Sequence, residues 1–408
     1  MDQVPLERAR RILEAGPICD ECFGRAFARV GSGLSNAVRG RSLRIRLGTS
    51  AEEDRARPCW VCDDLFSRGA EWAERAFEAV KGIEFDTYLF GVQLTTKLKE
   101  MEAWFGERFP TGTSEPMKHA FNRIVGKAFE ERVGAATVDF SSPHVSFVIN
   151  LSDDTLVLHV ASLCLYGRYR KLVRGIPQTR WPCRRCRGQG CRLCNFTGKQ
   201  YPESVEEWIA SPLVDAAGAR DARLHGAGRE DIDARMLGSG RPFVLELLAP
   251  SRRSLDLAVL RNAVNRHAGG RIEVSPLSVV TRGEIARIKG IEAVKRYRAV
   301  VAFGGEIPPD RLQRALNSLV GVVEQQTPRR VVHRRADRVR RRRLLGATGV
   351  LDNSRRATIE FDAEGGLYIK ELISGDRGRT SPSLSERLGT EAVVTELDVL
   401  DVTSANFP

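Results

Sequence analysis

Eight of the nine cysteines fall in C-x-x-C pairs, and that spacing constrains the fold more than any other feature of the chain. "CDEC" holds Cys19 and Cys22, "CWVC" holds Cys59 and Cys62, and "CRRCRGQGCRLC" holds Cys183, Cys186, Cys191 and Cys194. A C-x-x-C knuckle lets two thiolates converge on one ion, and two knuckles complete a tetrahedral zinc site. The first four cysteines therefore predict a zinc staple that draws residues 19–22 and 59–62 together. The second four are joined by a loop of only four residues, rich in glycine, so a metal site of their own and a set of disulfides both stay open. A site with four thiolates has no position left for a substrate, so each cluster is structural. Cys164 lies alone in an apolar segment and reads as a small core residue.

At 408 residues the chain has room for two or three domains. No apolar run approaches the roughly 20 residues that span a bilayer. The opening "MDQVPLERARRILEAG" has acids and arginines where a signal peptide needs an apolar stretch. A cytoplasmic location, without membrane contact, is the expectation. Lys and Arg total 64 against 52 Asp and Glu, a net +12, which favours a polyanionic partner over a purely small-molecule enzyme.

"SRGAEWAERAFEAVKG" places Trp72, Ala76, Phe77 and Val80 at helical spacing, with Gly82 as the stop. "EFDTYLFGVQL" reads as a strand. Ser114 is the expected N-cap of a helix with Met117, Phe121, Ile124 and Ala128 on its apolar face. "VSFVINL" and "TLVLHVASLCLYG" read as a hairpin. In "YGRYRKLVRGIPQTRW", Arg168, Arg170, Lys171, Arg174 and Arg180 interleave with aromatic rings, a pattern that suits phosphates and unstacked bases. From about residue 200 onward short strands and helices alternate, and "ATIEFDAEGGLYIKELISG" reads as strand. The densest basic run is "TPRRVVHRRADRVRRRRLLG", with Arg329, Arg334, Arg335 and Arg338 as candidate phosphate contacts. The fold class predicted is multidomain α+β.

"GREDIDARMLGSGRPFVLE" puts Asp231 and Asp233 in a glycine-studded turn before a strand. In isolation an Asp there is a turn residue. A carboxylate kept ionised in a pocket needs a cation beside it, and Arg229, Arg235, Arg241 and Lys370 are the candidates. Three functions are compatible: a nucleophilic Asp acting on RNA, a non-catalytic RNA-binding protein, and an Mg²⁺ nuclease using Asp231 with Asp233.

Long stretches of the chain, "ICDECFGRAFARVGSGLSNAVRGRSLR", "YGRYRKLVRGIPQTRWPCRRCRGQGC", "AGREDIDARMLGSGRPFVLEL", "TPRRVVHRRADRVR" and "YIKELISGDRGRTSPSLSE", closely resemble the archaeal THUMP-containing tRNA pseudouridine synthases. The resemblance implies an N-terminal zinc module over 1–69, a THUMP-like RNA-binding domain over 70–182 and the second cysteine cluster with a linker over 183–200. A catalytic domain over 201–408 follows, with a mixed, mainly antiparallel sheet flanked by helices. It implies isomerisation of the adjacent uridines 54 and 55 in the TΨC arm of tRNA by a monomer, with no cofactor. It carries the nucleophile onto Asp231, and the substrate pocket onto Tyr297, Tyr368, Ile369, Lys370 and Leu397. Asp233 has no role in that pattern and reads as an ordinary turn or salt-bridge residue.

Overall fold

Alternating and helical periodicities become strands and helices in the computed structural model, which describes residues 6–30, 33–50, 57–333 and 336–403. Arg334 and Arg335 lie outside the described residues. The chain divides into two compact units, residues 1–161 and 162–408.

In the first unit a four-stranded sheet runs Thr137–Val138, Thr87–Gln93, Val145–Asn150, Thr155–Val160. The first two pairings are parallel and the last is the expected antiparallel hairpin. Helices Gly69–Ala79 and Met117–Val133 supply Trp72, Phe121 and Phe129 to a core shared with Tyr88 and with the stacked rings of Phe90 and Phe147. Full burial of one such ring is worth about 1.5–3 kcal/mol. The second helix differs from its sequence reading. Its buried stripe is Met117, Phe121, Val125 and Phe129, with Ile124 and Ala128 only partly covered. Pro116 rather than Ser114 is the N-cap, and Glu102 from another helix accepts the orphan N–H of Met117.

The second unit is built on an eleven-stranded sheet. Its main path runs Thr380–Ser381, Gly321–Gln326, Val339–Asn353, Arg356–Glu364, Val294–Phe303, Ala392–Thr403, Ala234–Leu248, Leu163–Lys171, Ile272–Val274. Every pairing is antiparallel except that of Ala392–Thr403 with Ala234–Leu248, where Leu397 is in register with Ala234. The strand Leu163–Lys171 belongs here. The run read as "TLVLHVASLCLYG" is two strands, and only the first, Thr155–Val160, completes the hairpin. The segment "LYIKEL" is likewise not strand: Arg356–Glu364 ends at two glycines, Gly366 with φ +97°, and Ile369–Ser374 is a short helix. Among the described residues no helix is long and apolar enough to cross a membrane.

Candidate active site

Asp231 stands in the turn between strands Asp221–Gly226 and Ala234–Leu248, and its backbone is pinned from several sides. Lys171 donates to the carbonyls of Ile176, Asp231 and Ile232 at 2.9, 3.1 and 3.2 Å. The Asp231 carbonyl also accepts from Ala234 N–H at 3.1 Å, and Arg174 donates to the Asp233 carbonyl at 3.0 Å. Gly228 has φ +78°, and a Cβ there would stand 3.0 Å from Lys295 Nζ and 3.3 Å from Arg241 Nη1. Only glycine makes this turn without displacing two cations.

Beneath the turn lies a buried polar network. Glu230 accepts from Arg241 Nε at 2.7 Å and from the Tyr169 hydroxyl at 2.9 Å, and that hydroxyl accepts from Gln178 at 2.8 Å. Lys171 Nζ is 3.9 Å from Glu230. Burial, and then the Glu230 charge, push the Tyr169 phenol well above its usual range, so it remains a donor. One carboxylate thus faces several cations, and breaking such a set by removing one member is costly.

With its backbone fixed, Asp231 presents a carboxylate that is 31 % exposed. Its Oδ1 accepts from Arg330 Nη1 at 2.9 Å and its Oδ2 is 3.6 Å from Lys370 Nζ. Arg330 is itself held by Glu371, Nε to Oε1 at 2.6 Å, and its guanidinium lies 6.0 Å from the centre of the Tyr368 ring. Burial opposes the Arg330 charge, but Glu371 and Asp231 outweigh it. Lys370 bonds more closely to Asp233, at 2.7 Å to both oxygens. Burial would raise the Asp233 pKa, yet the bonds from Lys370 hold it below the usual carboxylate range. Asp233 is therefore a salt-bridge residue, as expected. Of the local cations proposed for Asp231, Arg241 serves Glu230 and Arg235 serves Asp398. The principal partner, Arg330, comes from the distant basic run and no local pattern marks it. Glu371 was missed with it.

Tyr297 lies on the inward face of Val294–Phe303, with Arg296 and Arg298 outward. Burial first, with a contribution from Asp231 against that of Arg241, pushes its phenol up to about 12. It is a neutral ring at physiological pH. Leu397 and Ile369 are buried in the same apolar cluster as Tyr297, on a strand and a helix that pack together.

The basic residues of the first run are mostly engaged internally. Lys171 is completely buried, so a phosphate contact would cost it three carbonyl bonds, and this corrects its reading as an RNA contact. Arg174 pairs with Asp398 at 2.6 Å, and Arg168 donates to Ser239 and to the Val402 carbonyl. Arg170 pairs with Glu273. Arg180, 55 % exposed, has its guanidinium 3.9 Å from Asp221. Arg329 and Arg338, in the second run, have exposed side chains.

Both cysteine sets converge. The sulfurs of Cys19, Cys22, Cys59 and Cys62 lie within 4.8 Å of one another, and so do those of Cys183, Cys186, Cys191 and Cys194. A tetrahedron with Zn–S near 2.3 Å has edges of about 3.8 Å. Cys19–Cys62 is 3.7 Å, and Cys183–Cys191, Cys186–Cys194 and Cys191–Cys194 are 4.0, 3.8 and 3.7 Å. All eight are free thiols. The short second loop is feasible because glycines take its tight places: a Cβ on Gly198 would stand 2.3 Å from the Gly188 carbonyl. N–H groups of Gly190 and Gly198 point at Cys186 and Cys194 sulfurs, both at 3.2 Å. Each set can hold a tetrahedral ion.

The model of the Pus10 C-terminal domain matches residues 164–403, and that of the archaeal Pus10 THUMP domain matches 72–150. The chain is 44% identical to a tRNA pseudouridine synthase Pus10 of Methanothrix thermoacetophila, over 97% of this chain and 94% of that one. It is 46% identical to the protein of that name from Halorubrum lacusprofundi, over 99% and 97%. Among solved structures, a chain of a Cbf5-Nop10-Gar1 complex is similar over 49% of this chain and 44% of that one, at 17% identity and a TM-score of 0.32, too slight a likeness to argue from. By the match of its larger unit and by full-length identity, the chain belongs to the Pus10 family of tRNA pseudouridine synthases.

Proposed function

We propose that this chain isomerises uridine to pseudouridine at positions 54 and 55 of the TΨC loop of tRNA, with Asp231 as nucleophile. The observation that carries the reading is the Asp231 carboxylate, one-third exposed and fixed in backbone, with Arg330 and Lys370 as its cations. Attack on the ribose C1′, attack on C6 and carboxylate-assisted elimination all need the anion, and two cations stand beside it. The net change breaks N1–C1′, forms C5–C1′, and exchanges a C5 proton for one on N1. No atom is gained or lost, so no cofactor enters. Ile369 and Leu397 cage the detached base while it turns, and Tyr297 stacks on it. A phenol pushed up to about 12 by burial is a poor resting base, so Tyr297 acts here as a neutral face. The target base must leave the loop's stack, at a cost of a few kcal/mol that cationic contacts to the RNA backbone offset. Zinc is the ion we assign to both cysteine clusters, as staples remote from the chemistry in role.

The test is mass-spectrometric mapping of pseudouridine on an unmodified tRNA transcript. Wild-type chain should convert both neighbouring uridines, and Asp231→Asn should convert neither while binding tRNA nearly as well. Appreciable turnover by a clean Asp231→Asn preparation would remove the nucleophile assignment.

A further inference from the structure

One buried amide in the larger unit is spent entirely on the backbone of a single residue. In the strand Gly321–Gln326, Val323 and Gln325 point inward and Glu324 outward. Val323 is apolar, as that face demands, whereas Gln325 places a carboxamide there with only 1% exposure. Such a group is costly to bury unless its polar atoms are bonded. Its Oε1 accepts from the N–H of Tyr368 at 2.8 Å, and its Nε2 donates to the Tyr368 carbonyl at 2.9 Å. The two bonds reproduce what a neighbouring strand would offer, aimed at one residue that is itself outside the strands.

Tyr368 is the N-cap of the helix Ile369–Ser374, with φ −94° and ψ 102°, and its carbonyl also accepts from Leu372 N–H at 2.9 Å. Upstream the chain passes through Gly365 and Gly366, where the backbone is least restricted. The start of the helix is thus tied to the sheet by a side chain as well as by its own connection, in which Leu367 N–H donates to the Glu364 carbonyl at 3.3 Å. That helix carries Ile369, Lys370 and Glu371, and Glu371 sets Arg330 against Asp231.

We propose that Gln325 is a positioning residue for the isomerisation, holding Tyr368 by both backbone groups so that Lys370, and through Glu371 also Arg330, meet the Asp231 carboxylate in reactive geometry. The inference rests on the isomerase reading above. A misplacement of about 1 Å can cost on the order of 10²-fold in rate.

The experiment uses the full chain, an unmodified tRNA transcript and enzyme in saturating excess, so that a single-turnover rate constant is read separately from tRNA affinity. Gln325→Leu fills the same space without either bond, and should lower the rate constant roughly 10- to 100-fold with the dissociation constant unchanged. Gln325→Glu keeps the acceptor for Tyr368 N–H and should recover part of that loss. A purely structural role would lower the folded fraction of the protein, read by denaturation, while leaving the rate constant of the folded molecules intact. A wild-type rate constant in Gln325→Leu, or an affinity loss that accounts for the slower reaction, overturns the proposal. If Gln325→Leu does not fold, an unchanged rate constant in Gln325→Glu does the same. Wild-type chain that forms no pseudouridine overturns the isomerase reading itself, and the role of Gln325 with it.

Discussion

Two stretches of this chain are rich in basic residues and do opposite things with them. Between residues 168 and 180 most of the cations are engaged by carbonyls and carboxylates of their own domain: Lys171 under the Asp231 turn, Arg174 on Asp398, Arg168 on Ser239 and Val402. Between 327 and 343 the chain leaves the sheet and returns to it, closed at the neck by Thr327 and Arg338, and sends Arg330 into the site with Arg329 and Arg338 exposed. A cluster of positive charge is the signal in both. What separates Lys171 from Arg329 and Arg330 is that the first sits on the covered face of a strand and the other two on a loop between strands.

The sharpest way to break this contrast is Lys171→Met, which keeps the stem and removes the ammonium. It should cost about 2–4 kcal/mol of unfolding free energy, because three carbonyls lose a donor and Glu230 loses a cation. Chemical denaturation is the measurement, and a midpoint within error of wild type would mean that the first run is not internal in solution. In the second run the expected loss is functional. Arg330→Ala, made in a Glu371→Gln background so that no buried carboxylate is stranded, should slow pseudouridine formation by about 10- to 100-fold. Arg338→Ala should leave the rate at saturation alone and reduce the slope of log affinity against log salt by about 1. Equal effects of the two on affinity would erase the distinction between site and surface. The smallest effect is in pH. Burial raises the Asp398 pKa, but Arg235 and Arg174 outweigh it and hold the folded value below the unfolded one. A depressed carboxylate contributes stability above its unfolded pKa of about 3.9 and loses it as pH falls through the folded value. Wild type should therefore lose stability below about pH 4, and the loss should be shallower in Asp398→Asn.

Much of this was readable from residue order. The paired cysteines and the α+β alternation needed only spacing. The strand Leu163–Lys171 also carried its own answer, since a period of two puts Leu163, Leu165, Gly167, Tyr169 and Lys171 on one face and Arg168 and Arg170 on the other. Lys171 was misjudged because its charge outweighed its place in that pattern. The helix at Ile369 was hidden for another reason: "LYIKEL" is apolar enough for a strand, and only the two glycines before it show that the strand has ended. Arg330 was beyond reach, because its partner Asp231 is 99 positions away and nothing local distinguishes it from Arg329.

The single parallel junction of the large sheet has a consequence for how the protein is made. Ala392–Thr403 is the one strand on the sheet's main path that joins the half containing Asp231 to the half containing Tyr297, Arg330 and Lys370. A nascent chain not yet translated through that strand has no ladder joining the two halves along the main path. Asp231 and the cations beside it therefore share one continuous sheet path only once Ala392–Thr403, the last of the eleven strands in sequence, is in place.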